Sequence, residues 1–305
     1  MVKIIIPLFV QPTVLFFLLL TSPVAGQTLT ASSMFGLTTR DHADAIEIVS
    51  KSKYQEAVWL LDSKGYQQEA NLLRNYLKHL LQQSVLTEVV DMPGLPGATK
   101  PIIVNLSCRL KGVFKKKSKH PSSNYKAEVA AYMIDELYKF NLVPMTIVKK
   151  IKNKIGSLQY YIEEAVPAQT QIGYIKSNRL NIFDYIISNK DRNIGNVLLL
   201  HDREIAIDHG LSLEKNNSLG SFLNNLDILK KNIRYKVDPI RSLHFSIKDF
   251  PALYDDKEIY SNLKKATLNQ LHYHLEGFLS KSQIRKVYQR IRKYLARMKV
   301  YYNGD

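Results

Sequence analysis

The sequence predicts an α+β fold, with strand-rich sequence in the middle and helical sequence on either side. Three observations predict it. Apolar residues recur at helical spacing through residues 33–85 and again in 282–300. Between them lie short runs rich in β-formers, Pro101–Leu106, Leu110–Phe114 and Leu158–Ile162. Val197–Leu200 and Glu204–Ile207 enclose the polar turn His201-Asp202-Arg203 in the manner of a hairpin.

At the start of the chain, Lys3 precedes the apolar run Val14–Leu20, and Val24-Ala25-Gly26 offers small residues before Gln27. This is the layout of a signal peptide over residues 1–26, and the protein is expected to be exported or secreted. An uncleaved anchor is the alternative, but Pro7, Gln11 and Pro12 interrupt the run. It falls short of the roughly 20 apolar residues of a spanning helix, and no other segment approaches that length.

Residues 27–92 form a helical N-terminal extension in this reading. Ala43, Ile46 and Val49 keep one helical stripe, Ala57, Leu60 and Leu61 another, and Ala70, Leu73, Tyr76 and Leu80 a third. Gly65 separates the last two. Asp91–Thr99, rich in Pro and Gly, reads as a boundary loop, and Gly94 and Gly97 in it form no clear phosphate-binding signature. Pro121-Ser122-Ser123-Asn124 is a helix-start signal for Tyr125–Phe140, with Val129, Met133 and Leu137 on one stripe. Leu180–Ser188 reads as helix, and the chain from about Ser221 is mostly helical. It ends in a basic amphipathic helix, Ser282–Val300, whose Ile284, Val287, Ile291 and Leu295 suit a packed face. Membrane-surface binding is the second reading of that helix.

The chain has 305 residues, enough for one large or two small cores, and ordinary apolar and charged fractions of 45% and 23%. Its 43 Lys and Arg against 27 Asp and Glu give a net charge of +16, which favours acidic partners such as nucleotide phosphates, an acidic protein or anionic lipid. Nucleic-acid binding has only this charge behind it, since no clustered aromatic–basic motif is present. One cysteine, Cys108, rules out an intrachain disulfide, and its strand-like surroundings predict a buried packing residue. The eight histidines show no metal-ligand spacing. Asn105-Leu106-Ser107 and Asn216-Asn217-Ser218 match the glycosylation pattern.

The segment Asn181–Leu213 holds the chemistry: Asp191, Asn196 five residues on, and Asp208 in Ile-Asp-His-Gly. Phosphoryl transfer needs positioning and charge neutralisation, supplied by a Lys, a Glu that holds it, a base near the acceptor hydroxyl, and two metal ligands. All five have candidates here in that order. Lys115 ends a strand-like run and shares a face with Val113, although Lys116 and Lys117 leave the register open. Glu128 lies in the first turns of the next helix, within reach of Lys115. Asp191 falls in a loop after a helix, and its spacing to Asn196 lets one loop present a base and a metal-ligating amide. Asp208 follows the hairpin and precedes Gly210. Carboxylate and amide oxygens suit Mg²⁺.

These residues resemble the atypical kinase superfamily of phosphatidylinositol 3-/4-kinases, HipA-like kinases and secreted Four-jointed-like kinases. The likeness runs from about Val113 to Leu213 and is nearest to bacterial phosphatidylinositol 3-/4-kinase-related proteins. Val113-Phe114-Lys115 looks like the nucleotide-lysine strand, and Ala127–Tyr132 like the Glu-bearing helix. Leu142-Val143-Pro144 looks like the turn after that helix, and Gly156–Ala165 like the strand entering the adenine hinge. Asp184-Tyr185 with Asp191-Arg192-Asn193 looks like the catalytic segment, and Ile207–Gly210 like the metal-binding one. The resemblance implies a two-lobed atypical protein-kinase-like fold, with an N-lobe at 93–168 and a helix-rich C-lobe at 169–305. It implies ATP with Mg²⁺ or Mn²⁺, and Glu163, Glu164 and Ala165 beside adenine. By it Asp191 is the catalytic Asp, and Asn196 and Asp208 bind metal. The acceptor is a hydroxyl of a protein, lipid or sugar. Secreted animal members of the superfamily carry disulfides that this chain cannot form, which points to a bacterial-type member or a translocated effector. The alternative is a catalytically inactive kinase-like module that binds nucleotide or protein.

Overall fold

The computed structural model describes residues 40–90, 101–118, 124–213 and 254–303. The expected signal segment, the Pro/Gly-rich loop with Gly94 and Gly97, Asn216, and the start of the helical C-terminal region at Ser221 lie outside those residues. The chain divides into two compact units. One runs to Val85 and includes Ser107–Leu110; the other comprises Leu86–Leu106 and Lys111–Asp305.

In the first unit, α1 (Arg40–Ser50), α2 (Tyr54–Ser63) and α3 (Gln67–Gln83) pack around Ala45, Val49, Ala57, Val58, Leu61, Ala70 and Leu73. These are the residues at helical spacing, and their burial drives the association. Gly65 makes the α2–α3 turn at φ 84°, a left-handed conformation that glycine adopts without steric cost. Arg74 Nη2 donates to Asp62 Oδ2 at 2.5 Å, with both side chains buried. Removing one member of such a pair strands a buried charge, at a cost of about 3–5 kcal/mol. Cys108 is half-buried in a turn, not buried in a strand, because the strand before it stops at Leu106 and Arg109 turns the chain at φ 63°.

The second unit has two sheets. The five-stranded sheet is built from β1 (Leu86–Val90), β2 (Ile102–Leu106), β3 (Lys111–Lys116), β4 (Thr146–Ile151) and β5 (Lys154–Tyr160). Its order is β1-β2-β3-β5-β4, with every pair antiparallel. Helical periodicity predicted neither β1, which falls at the end of the expected helical extension, nor β4. The helix α4 (Tyr125–Tyr138) follows β3 and is capped by Asn124, whose Oδ1 accepts from Ala127 N. Of the expected Val129–Met133–Leu137 stripe only Val129 is buried, and Met133 and Leu137 are half-buried. Ala127, Ala130, Ala131, Ile134 and Tyr138 are buried with it. The alanines have the least side chain to keep neighbours away, and Glu128 is buried among them.

The second sheet has the order β6-β7-β8, from β6 (Val166–Pro167), β7 (Val197–Leu200) and β8 (Arg203–Ala206). The same part of the chain holds α5 (Asn178–Ile187), α6 (Lys257–Lys264), α7 (Leu268–Leu275) and α8 (Lys281–Asn303), with α8 packed against the other three. Ile284, Val287, Ile291 and Leu295 of α8 are buried, as are Leu180, Ile182, Phe183 and Ile186 of α5. The unit is thus the two-lobed α+β arrangement expected of a kinase-like chain: an antiparallel sheet with one helix, then a small sheet with a helix-rich lobe. Segment 161–165 carries the chain from one sheet to the other, and Ala206 N donates to Leu142 O at 2.9 Å. No helix among the described residues is long and apolar enough to cross a membrane.

Candidate functional site

Of the run Lys115–Lys117, Lys115 is the lysine that meets Glu128 and Asp208. Lys115 stands opposite Ser157, and Lys116 opposite Gly156, so the two lysines project to opposite faces. Lys115 Nζ donates to Glu128 Oε1 at 2.6 Å and to Asp208 Oδ1 at 2.9 Å. Burial alone would lower this ammonium's pKa, but Glu128 and then Asp208 outweigh it and hold the pKa above its usual value. Glu128 would be raised by its own burial, yet Lys115 and the His209 ring push it well below the carboxylate range. The three residues come from a strand, a helix and a loop, brought together by the fold.

Asp208 sits just after β8 with φ 57°, a left-handed conformation that a non-glycine residue adopts at a cost. The loop around it is tied down by its neighbours. His209 N donates to Glu128 Oε2 at 2.9 Å, and Ile207 N to Asn196 O at 3.1 Å. The Asp208 carboxylate remains partly exposed.

Asp191 and Asn196 share one short loop, 188–196. Asn196 Nδ2 donates to the Asp191 carbonyl at 2.7 Å and lies 3.4 Å from Asp191 Oδ2. With Nδ2 committed in this way, the amide oxygen is the end left to receive a cation. Asn193 caps the loop, its Oδ1 accepting from Gly195 N at 2.9 Å and its Nδ2 reaching Asp191 Oδ1 at 3.3 Å. Since Ile207 is the backbone partner of Asn196, Asp208 follows directly beside that loop.

Two residues that the sequence reading quoted without a role organise this region. Arg192 is buried, and its Nε donates to Asp184 Oδ1 at 3.1 Å and to Oδ2 at 3.2 Å. Its Nη1 donates to the carbonyls of Asn196 and, at 2.6 Å, Ile207. One guanidinium therefore fastens the loop bearing Asn196 to the strand end bearing Asp208. Its Nη2 lies 2.9 Å from His209 Nε2. A guanidinium has only donors, so Nε2 accepts and the proton of this imidazole sits on Nδ1, 3.6 Å from Glu128 Oε2. Burial first, and Arg192 second, lower the pKa of His209, which keeps the ring neutral. Asp184 also accepts from Asn189 Nδ2 at 3.1 Å and Lys176 Nζ at 3.2 Å. The one sequence signal of this hub was a carboxylate in the apolar helix Leu180–Ser188, eight residues before Arg192.

Glu163 and Glu164 lie in the segment between the sheets with their side chains exposed, and Glu163 Oε1 pairs with Lys111 Nζ at 2.8 Å. These carboxylates face solvent, and Ala165 N is taken by Ile162 O at 3.3 Å. Any contact to a base would come from the remaining backbone of this segment.

For a divalent ion the donors on offer are the Asp208 carboxylate and the Asn196 amide oxygen, both hard oxygen ligands. They fit Mg²⁺ or Mn²⁺, which take one or two protein groups and fill the remaining positions with water and phosphate. No cluster of three or more His, Cys, Asp or Glu suited to a metal occurs among the described residues.

No protein-family model matches the chain, and no curated protein matches its sequence. Among solved structures it is similar to the Helicobacter pylori proinflammatory kinase CtkA, at 16% identity over 72% of this chain and 97% of that one, with a TM-score of 0.44. It is similar also to the Golgi casein kinase with Mn/ADP bound, at 14% identity over 75% and 76% of the two chains, TM-score 0.43. For hydra Fam20 with sugar the figures are 14%, 74% and 88%, with a TM-score of 0.41. These likenesses are shallow, and the reading of the site rests on the geometry above.

Proposed function

We propose that the chain is an ATP-dependent phosphotransferase that passes the γ-phosphoryl group to a hydroxyl acceptor. The observation that carries this reading is the buried Lys115–Glu128 pair joined to Asp208. One ammonium set against two carboxylates leaves a net negative charge at the partly exposed Asp208, which suits a divalent cation that would carry the nucleotide phosphates in with it. In this reading Lys115 neutralises nucleotide phosphate, Glu128 fixes its direction, and Asp208 and Asn196 hold Mg²⁺ or Mn²⁺. The metal, when bound, supplies charge neutralisation at the phosphates. Asp191 lies in the same loop as Asn196 and takes the proton of the acceptor hydroxyl, a role that contributes about 10²–10⁴-fold. The acceptor is a protein, lipid or sugar hydroxyl. The nearer likeness to phosphatidylinositol 3-/4-kinase-related proteins, and export of the chain, rest on the sequence alone.

The test is metal-dependent ATP turnover by the full chain, beside Asp208→Ala, with mixed protein and lipid acceptors. Turnover that requires Mg²⁺ or Mn²⁺ and is lost in the variant is expected. Equal turnover in both proteins would sink the assignment. ATP binding with no turnover in either would favour the inactive kinase-like module.

A further inference from the structure

The corner of the five-stranded sheet formed by the β4–β5 hairpin and the end of β3 takes no part in the proposed chemistry. Lys116, Lys117, Lys150, Lys152 and Lys154 are exposed there, and Lys149 is half-buried. Neither Lys111–Ser118 nor Thr146–Tyr160 contains an acidic residue. Among the described residues, Lys117, Lys150, Lys152 and Lys154 have no ion-pair partner.

The lysines are held in a fixed array. Ile151 pairs with Lys154 across a two-residue turn, and Lys152 and Asn153 have φ of 45° and 61°. Two left-handed residues make the tight two-residue turn whose twist matches that of the flanking strands. Ile151 is buried and anchors it. Lys117 N donates to Ile155 O at 2.7 Å, and Ile155 stands opposite Lys150. The 42% exposed Ile155 therefore lies between two lysines on one face. Val148, 37% exposed, shares that face two residues before Lys150.

We propose that this corner docks on an anionic lipid bilayer. A convex hairpin tip suits a broad, yielding surface better than a pocket-seeking partner. Its cations are all lysines, which read charge density and not the planar geometry that arginine matches. It carries no exposed aromatic ring to stack on bases, which disfavours single-stranded nucleic acid. Exposed Ile155 and Val148 add apolar contact that a headgroup layer accepts. The proposal stands apart from the phosphotransfer reading.

The test is co-sedimentation of the full chain with phosphatidylcholine vesicles, with and without phosphatidylserine. Using both vesicle types separates charge-dependent binding from any contribution of the apolar N-terminal run. Binding to the phosphatidylserine vesicles is expected to exceed binding to neutral ones and to weaken with salt. Reversing Lys150, Lys152 and Lys154 to Glu should lower that excess by at least about tenfold, given roughly fivefold per lysine near such a surface. Ile155→Ser should lower it severalfold, with unchanged thermal melting as the check on folding. Arg292→Glu/Lys293→Glu, on the exposed face of α8, should leave it unchanged. An excess that survives the triple reversal, or that the α8 variant removes, would overturn the proposal. Tight binding of duplex DNA that the triple reversal abolishes, with vesicle binding insensitive to Ile155→Ser, would show a polyanion surface and would overturn it too.

Discussion

Asp184 shows what a single residue contributes to this site. Burial would raise its carboxyl pKa, but Arg192 and then Lys176 outweigh burial and hold it below the usual aspartate value. A carboxylate with a depressed folded pKa stabilises the protein fully above its unfolded pKa, about 3.9, and loses that contribution as pH falls through the lower folded value. Asp184→Asn should therefore cost about 3–5 kcal/mol at neutral pH, because the buried Arg192 charge loses its partner. The gap between wild type and variant should narrow below about pH 4, as wild type gives up its carboxylate contribution. Urea unfolding midpoints measured across that range provide the check, and parallel profiles would defeat it. The sequence offered Lys115, Glu128, Asp191, Asn196 and Asp208 as candidates from their order along the chain, and the fold brings Lys115 into contact with Glu128 and Asp208. The bracing by Arg192 and His209 was not legible, because it depends on backbone carbonyls of Asn196 and Ile207 and on Glu128 of the other lobe, which only the fold brings near.

At the scale of elements, legibility followed periodicity. The helices α1 to α3, α5 and α8 announce themselves by apolar spacing, and the β7–β8 hairpin by its polar turn. Strand β4 did not, since Thr146-Ile-Val-Lys-Lys-Ile has no clean alternation and its lysines serve the exposed edge of the sheet. The register of Lys115 also needed the structure, because three lysines in a row can be placed on either face until β5 is paired. The long α8 reaches the entry to the loop that carries Asp191. Arg290 Nε donates to Ile186 O at 2.6 Å, just before residues 188–196. Gln283 Nε2 donates at 2.5 Å to the carbonyl of Leu213, whose N–H in turn donates to Ile187 O at 2.9 Å. This helix thus braces both the loop with Asp191 and the segment leaving Asp208. Burial lowers the Arg290 pKa to about 10, and the group remains charged at neutral pH. Arg290→Met should lower kcat by roughly 10–100-fold through misplacement of Asp191, with the KM for ATP little changed. A raised KM at unchanged kcat would place Arg290 outside this role.

At the scale of the whole molecule, each compact unit has its own core, and the proposed nucleotide site belongs entirely to the second. Trp59, the sole tryptophan, is buried in α2 of the first unit. Its fluorescence therefore reports the unfolding of that unit alone, whereas circular dichroism reports both. A ligand that binds only the folded second unit stabilises it by about 2.7 kcal/mol at a concentration of 100 times its Kd. For a unit of this size that is a rise in Tm of roughly 5–11 °C. Mg²⁺ and ATP should shift the dichroism transition by that amount and leave the Trp59 transition in place. Asp208→Ala should lose the shift without loss of the transition itself, since the Asp208 carboxylate is partly exposed and its backbone is held by Ile207 and His209. Were the Trp59 signal to move together with the dichroism signal, the two units would be unfolding as one and nucleotide binding would stabilise the entire chain. Were neither to move while ATP binds by an independent measure, binding would have to lie outside the pocket defined by Lys115, Glu128 and Asp208.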